Sequence, residues 1–223
     1  AMAEFVAVPE HILYHVPDEL SLIDAAVVEP VSIAFHAVRR AQIQLNDSVA
    51  VIGCGIIGLF IVQAAKLAGC GKLIAVDLDP FKLAKAEEFG ADQLINPKDS
   101  DVSGVILGMT KGQGVDVCLE AVGANATVNL ALNSVKKGGK VVLVGNVSPE
   151  VAMPLQKVVT GELTLLGSCA SAGEYQACID MMAAGKINAG AMVSKVVPLD
   201  DGAMWFKKLH DAKEPLLKVV LEP

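Results

Sequence analysis

The pattern of apolar and polar positions switches between two periods along this chain. Val49-Ala50-Val51-Ile52 is an unbroken apolar, β-preferring run. Residues Leu59–Ala68 then form a longer apolar stretch, interrupted only by Gln63 and Lys66 and closed by Gly69. A short apolar run ending in glycine predicts a strand buried on both faces, and the longer run predicts a buried helix. The couple repeats downstream. Leu73–Val76, Gln93–Ile95, Val115–Leu119, Lys140–Val144 and Leu163–Leu166 read as strands. Phe81–Phe89, Val102–Met109 and Ala126–Val135 read as the helices between them, with Gly90 closing the first and Gly138-Gly139 opening the fourth-to-fifth strand turn. Such alternation predicts right-handed crossovers and an α/β fold, a doubly wound parallel sheet of six strands. The expected order is 3-2-1-4-5-6, with a ligand across the carboxyl ends of the strands.

The two ends of the chain do not continue this alternation. Ala3–Pro9 alternates like a half-buried strand, and His11 and His15 fall in turns, where histidine is usually solvated. Ser21 is placed to cap a short helix with Asp24 three residues on, a longer helix runs from Val31 to about Ala41, and Asn46-Asp47 makes a turn. Near the other end, Tyr175–Ala184 and Asp200–Leu209 read as helices, the latter carrying the only tryptophan, Trp205. Val193–Val197 and Leu216–Leu221 read as strands. Together with the first strand these pieces predict the margins of a second domain.

The turn after the first strand carries the chemistry. Gly53-Cys54-Gly55-Ile56-Ile57-Gly58 has the G-x-G-x-x-G spacing between a strand and a helix. Gly53 permits the sharp turn, Gly55 lets a pyrophosphate approach the backbone, and Gly58 lets helix and strand pack closely. The N–H groups and positive dipole end of the new helix face the phosphates. The second strand ends at Asp77, where this arrangement puts the carboxylate that accepts the adenosine ribose hydroxyls. No arginine follows in Leu78–Lys82 to neutralise a 2′-phosphate, so the cofactor is expected to be NAD rather than NADP. The bland alternative, an acid that caps the next helix, is filled better by Asp79, because Pro80 then takes the first helical position.

Composition narrows the setting. With 53% apolar residues among 223, the chain can bury both faces of a sheet. A net charge of −7, with acids and bases interspersed, argues against nucleic acid or an anionic membrane surface as partner. No apolar run is long enough to span a bilayer, and no leader-like segment opens the chain. Cys54, Cys70, Cys118, Cys169 and Cys178 lie in apolar contexts without C-x-x-C spacing, and are expected to be reduced core thiols of a cytoplasmic protein. The four histidines form no metal-binding pair.

Taken together, these motifs resemble the coenzyme-binding portion of the medium-chain, zinc-dependent alcohol and polyol dehydrogenases, and the resemblance covers nearly the whole chain. It rests on Ala3-Glu4-Phe5-Val6 with Val8-Pro9, on Glu29-Pro30 before a helix, on the Gly53–Gly58 turn and Asp77, and on Glu120-Ala121-Val122-Gly123. It continues through Gly138-Gly139 before Val144-Gly145, and Glu162-Leu163-Thr164-Leu165 before Gly167-Ser168. Glu29-Pro30 points to the sorbitol, threonine and butanediol dehydrogenase branch. The resemblance implies a Rossmann sheet over residues 31–190, flanked by remnants of a GroES-like catalytic domain at 1–30 and 191–223.

The resemblance also assigns residues. Glu29 takes the position of a zinc-site residue, although an acid near a helix start is commonly nothing more. Lys82 lies near the adenosine ribose, or is simply a solvated helix charge. Ile56 and Ile57 belong to the dinucleotide turn, and Ala121 and Val122 pack near the adenosine half. Val144, Gly145, Asn146, Ser168 and Cys169 approach the nicotinamide, and Lys218 the pyrophosphate; ordinary core packing or a solvated strand lysine are the alternatives. The implied activity is hydride transfer between a secondary alcohol or polyol and NAD, with zinc in the full-length parent. The upstream zinc cysteine and the Gly-His-Glu motif of the family are not present, so the chain is expected to be a portion that holds cofactor but does not turn over alone. A stand-alone NAD-binding sensor or scaffold, or a zinc-free quinone reductase, are the rival readings. The apolar edge strand 163–166 is expected to pair with its copy in a homodimer, with a tetramer open for the parent.

Overall fold

A computed structural model describes residues 2–211 and 214–223. Close contacts divide the chain into two compact units, Ser32–Ala172 and a second made of Ala1–Val31 with Gly173–Pro223.

The N-terminal residues depart from expectation. Ala3–Pro9 forms no strand; Phe5 is 90% exposed, and a single 3₁₀ turn at Glu10–Ile12 follows. Alternation specifies a strand only when a neighbouring strand takes up its N–H and C=O groups, and none does so among the described residues. Helix α1 (Leu22–Ala25) starts where predicted: the Asp24 N–H donates to Ser21 Oγ at 3.0 Å, and the Ser21 hydroxyl donates to the Asp24 carboxylate at 2.8 Å. Helix α2 (Val28–Ala41) begins earlier than Val31, because Pro30 lies in its first turn, where a missing N–H costs nothing.

The larger unit is then built by strict alternation. In chain order it comprises β1 (Ser48–Ile52), α3 (Ile56–Leu67), β2 (Lys72–Val76), α4 (Pro80–Glu88), β3 (Gln93–Ile95) and α5 (Val102–Met109). It continues with β4 (Val115–Glu120), α6 (Asn125–Ser134), β5 (Val135–Leu143), α7 (Leu155–Thr160) and β6 (Thr164–Gly167). The six strands are all parallel, in the order β3-β2-β1-β4-β5-β6. The expected helix start at α4 holds: the Phe81 N–H donates to Asp79 Oδ1 at 2.9 Å, with Pro80 in the first turn. Strand β5 differs by running back to Val135, so that Gly138-Gly139 sits inside it at a register shift against β4.

Register is what positions the site. Ile52 lies beside Val76 and Glu120, Glu120 beside Leu143, and Leu143 beside Gly167. The carboxyl ends of five adjacent strands, β2 to β6, therefore finish in one row, and the loops that leave them lie side by side. The strands beneath are dry, with Val49, Ala50, Val51, Leu73, Ile74, Leu119 and Val141 fully buried.

The second unit contains α8 (Tyr175–Ala183), β7 (Val193–Pro198), α9 (Gly202–Asp211) and β8 (Lys218–Glu222). β7 and β8 pair in parallel as a two-stranded sheet. Helix α8 falls within this unit; Cys178, Ile179 and Met182 are buried, and Tyr175 stacks on Tyr14 with centroids 5.2 Å apart. Cys169 is the exception to the expected core thiols, being exposed where the other four cysteines are buried. No helix among the described residues is long and apolar enough to cross a membrane.

Candidate functional site

The glycine turn between β1 and α3 separates three different demands on glycine. Gly53 adopts φ 89°, a left-handed conformation, and its N–H donates to the Val76 carbonyl at 2.8 Å. A Cβ built on Gly58 would lie 1.8 Å from the Gly53 carbonyl oxygen, so helix and turn meet backbone to backbone. A Cβ on Gly55 would meet nothing within 4 Å, and φ there is −67°, an angle any residue adopts. Gly55 is also the N-cap of α3, and no side chain caps the helix. Its first N–H groups are the kind of donors that anions satisfy.

Asp77, one residue past β2, braces this turn. Its carboxylate accepts the Cys54 N–H at 2.7 Å and the Asp79 N–H at 2.9 Å, one on each oxygen. An ionised carboxylate offers roughly four acceptor sites, which leaves capacity for two hydroxyls. The Cys54 thiol is pushed up to about 12 by burial and by the Asp77 charge, with a backbone hydrogen bond at Val76 and the Lys82 charge working the other way. It is therefore an inert packing group beneath the turn. Lys82 is half-buried in the first turn of α4, close enough for its charge to act on that thiol.

Past the turn, a cleft of about 820 Å³ opens over the ends of β4, β5 and β6. Eight of the sequence-predicted residues line it: Ile57, Ala121, Val122, Val144, Gly145, Asn146, Ser168 and Cys169. The loop that leaves β4 is held by Glu120, a fully buried carboxylate that accepts the Val122 N–H at 2.9 Å and the Gly123 N–H at 2.8 Å. The Glu120 carbonyl accepts the N–H groups of Val144 and Gly145 at 2.8 and 3.0 Å, which ties the β4 loop to the β5 loop. The two loops touch so closely that a Cβ on Gly145 would lie 2.1 Å from the Val122 carbonyl carbon. Ser168 is 9% exposed, and its hydroxyl has no hydrogen-bond partner, the one such buried side-chain atom found among the described residues. An unsatisfied buried hydroxyl costs about 1–3 kcal/mol, so its retention calls for a reason.

Sequence reasoning missed one wall of the cleft. Ile33, His36 and Arg40 line it from α2, and Arg40 is exposed. Their i, i+3, i+7 spacing marks one helix face, but nothing in the sequence says which face the cleft meets. It also passed over the carboxylate of Glu120, a buried acid that a strand-end position hints at only once the following N–H groups are located.

Two predicted residues lie in the other unit. Glu29 is exposed in the first turn of α2, and Lys218 is half-buried at the start of β8. No group of three or more His, Cys, Asp or Glu side chains that could hold a metal occurs among the described residues.

Comparison with known proteins agrees with this geometry. Residues 57–184 match the zinc-binding dehydrogenase family. The chain is 31% identical to sorbitol dehydrogenase of Bacillus subtilis, covering all of this chain and 64% of that protein. It is 36% identical to (R,R)-butanediol dehydrogenase of the same organism over 89% of this chain and 57% of the relative. A solved zinc-binding dehydrogenase from Sinorhizobium meliloti, described as bound to NADP, superposes with a TM-score of 0.94 at 31% identity, covering 100% of this chain and 66% of that one. The chain thus spans less than two thirds of the length of these relatives. By its glycine turn, its strand order and these matches, the chain belongs to the zinc-dependent medium-chain alcohol and polyol dehydrogenase family.

Proposed function

We propose that this chain holds NAD(H) across the carboxyl ends of its strands, as the cofactor-binding portion of an oxidoreductase that interconverts a secondary alcohol or polyol and its ketone. The observation that carries the reading is the contrast at the turn. Gly58 is a glycine because the protein has no room for more. Gly55 is a glycine where the protein itself has room to spare, which fits a ligand that must approach the backbone there.

In this reading the uncapped start of α3 and the Gly55 N–H take the pyrophosphate. Asp77, already held by two backbone N–H groups, accepts both ribose hydroxyls at the β2 end. A 2′-phosphate would bring a second negative charge against that carboxylate, with no arginine in Leu78–Lys82 to offset it. The nicotinamide supplies hydride acceptance when bound. The chain's own part is to seat that ring among Val144, Gly145, Ser168 and Cys169 and to exclude water from one side of it. Glu29 is proposed to serve a zinc site of the whole protein, and this portion alone is proposed to be inactive.

Calorimetric titration with NAD⁺ and NADP⁺ tests the assignment. NAD⁺ is expected to bind at least about tenfold more tightly, and Asp77→Gly to narrow that gap. Equal affinities in the unmodified chain would remove Asp77 from the role. The same preparation is expected to show neither alcohol oxidation nor stoichiometric zinc after dialysis; either one would contradict the division of labour proposed here.

A further inference from the structure

We propose that Asn125 and Asn129, two side chains one turn apart on α6, are positioning residues that hold the loop between β5 and α7 in the form that receives the cofactor. The inference rests on the cofactor reading above and adds to it two groups that set one wall of the site from outside the cleft.

The loop covers residues 144–154, and its first stretch, Val144–Val147, lines the cleft. It is tied repeatedly to one short segment, residues 120–129. At the near end, the Val144 and Gly145 N–H groups donate to the Glu120 carbonyl, and the Ser148 N–H donates to the Gly123 carbonyl at 2.8 Å. At the far end the partners are side chains. The Ala152 N–H donates to Asn125 Oδ1 at 3.0 Å, and Asn129 Nδ2 donates to the Ala152 carbonyl at 2.9 Å. Asn129 Nδ2 also donates to the Asn125 carbonyl at 2.8 Å, which fixes the direction of its amide. Between the two ends, Val151 packs against the core beneath the sheet ends.

Two amides here do what a neighbouring strand does elsewhere: they pair both backbone groups of Ala152, one accepting and one donating. Ala152 is exposed, so water would satisfy those groups unaided. What the asparagines supply is therefore a fixed position and not hydrogen-bond satisfaction. Asparagine is also a weaker helix former than lysine or glutamate, either of which would serve a merely solvated place on α6. Its short amide reaches both the carbonyl one turn back and the backbone alongside. The loop is thus carried as one body with the end of β4 and the start of α6. A loop already held in place need not be ordered when the ligand arrives, so nearly every chain is competent to bind.

The test compares the unmodified chain with Asn125→Ala, Asn129→Ala and Asn125→Asp, titrating each with NAD⁺ and with AMP, which is too short to reach this loop from Asp77. Both alanine variants are expected to weaken NAD⁺ roughly 3- to 10-fold while AMP stays within about twofold. Backbone amide exchange over residues 147–154, read by mass spectrometry, is expected to quicken in the same two variants. Asn125→Asp keeps an oxygen that accepts the Ala152 N–H, and is expected to match the unmodified chain in both readouts. Alanine variants that melt lower yet bind NAD⁺ unchanged overturn the proposal, since the asparagines would then be structural only. So do variants that lose NAD⁺ and AMP equally. An Asn125→Asp protein as weak as Asn125→Ala also overturns it, because the acceptor oxygen would not be the group that acts. If the unmodified chain binds neither NAD⁺ nor AMP, the cofactor reading fails first and the positioning role falls with it.

Discussion

At the scale of single residues, the glycine turn separates folding from function. Gly58 stands 1.8 Å, in Cβ terms, from a backbone oxygen that cannot move aside like a side chain. Gly58→Ala is expected to cost at least the roughly 1–3 kcal/mol typical of overpacking, read as a lower melting temperature. Gly55→Ala meets no protein atom and needs no unusual φ, so its melting temperature should match the unmodified chain. Its NAD⁺ affinity should fall at least about tenfold, because the added methyl group stands where the pyrophosphate approaches. Calorimetry and thermal melts on the two variants check both halves; a Gly55→Ala protein that binds NAD⁺ normally would place the ligand elsewhere. The roles of Gly53, Gly58 and Asp79 were legible in the sequence, since each follows from backbone geometry at a fixed spacing. The partnerless hydroxyl of Ser168 and the exposure of Cys169 were not, because burial of a side chain after a strand end depends on loops distant in sequence.

At the scale of elements, the alternation of apolar runs prescribed strand order well because each parallel crossover has one favoured hand. It failed at Ala3–Pro9, where a two-residue period had no neighbouring strand to meet, and it gave no sign of α7, a helix of six residues too short to show a period. The strand starts are tied by charge. Asp116 on β4 accepts the Ser48 N–H at 2.7 Å and the Ser48 hydroxyl at 2.6 Å from β1, and the Lys136 ammonium from β5. Burial alone would raise the Asp116 pKa, but Lys136 and Ser48 outweigh it and hold the carboxyl below its ordinary value of 3.8. Its contribution to stability is therefore present above that value and lost as pH falls through the depressed one. The hydrogen bond to Asp116 outweighs desolvation and raises the Lys136 pKa above 10.5, so its contribution is present below that value and lost as pH rises through the raised one. Stability from this pair should be level between those limits. Urea unfolding across pH should show Asp116→Asn flattening the acid limb; an unchanged acid limb would show that the pair contributes nothing there.

The edge strand is the other feature argued at this scale. β6 lies at the open edge of the sheet, and α7 leading into it leaves Leu155 and Val159 exposed at 72% and 64%. We propose that two copies pair through this edge about a twofold axis, which removes an unpaired row of N–H and C=O groups from solvent. Leu165 packs toward the core, so it is a poor place for a test; Thr164 is exposed. Thr164→Lys should split the dimer by light scattering and leave NAD⁺ affinity nearly unchanged. An unmodified chain that stays monomeric at high micromolar concentration would refute the pairing.

At the scale of the whole molecule, the row of strand ends from β2 to β6 is proposed to be one continuous cofactor site. Cys169 reports on it directly. Four of the five cysteines are buried, and burial pushes the Cys54 and Cys178 thiols up to about 12 and the Cys70 and Cys118 thiols upward as well. Cys169 alone is exposed, and it lines the cleft proposed to seat the nicotinamide. The decisive measurement is the rate of alkylation at Cys169, followed by mass spectrometry with and without saturating NAD⁺. The account predicts a single modified site in the native chain, Cys169, and a rate reduced at least about tenfold by NAD⁺ but not by AMP, which ends short of β6. Alkylation at an undiminished rate under saturating NAD⁺ would contradict it.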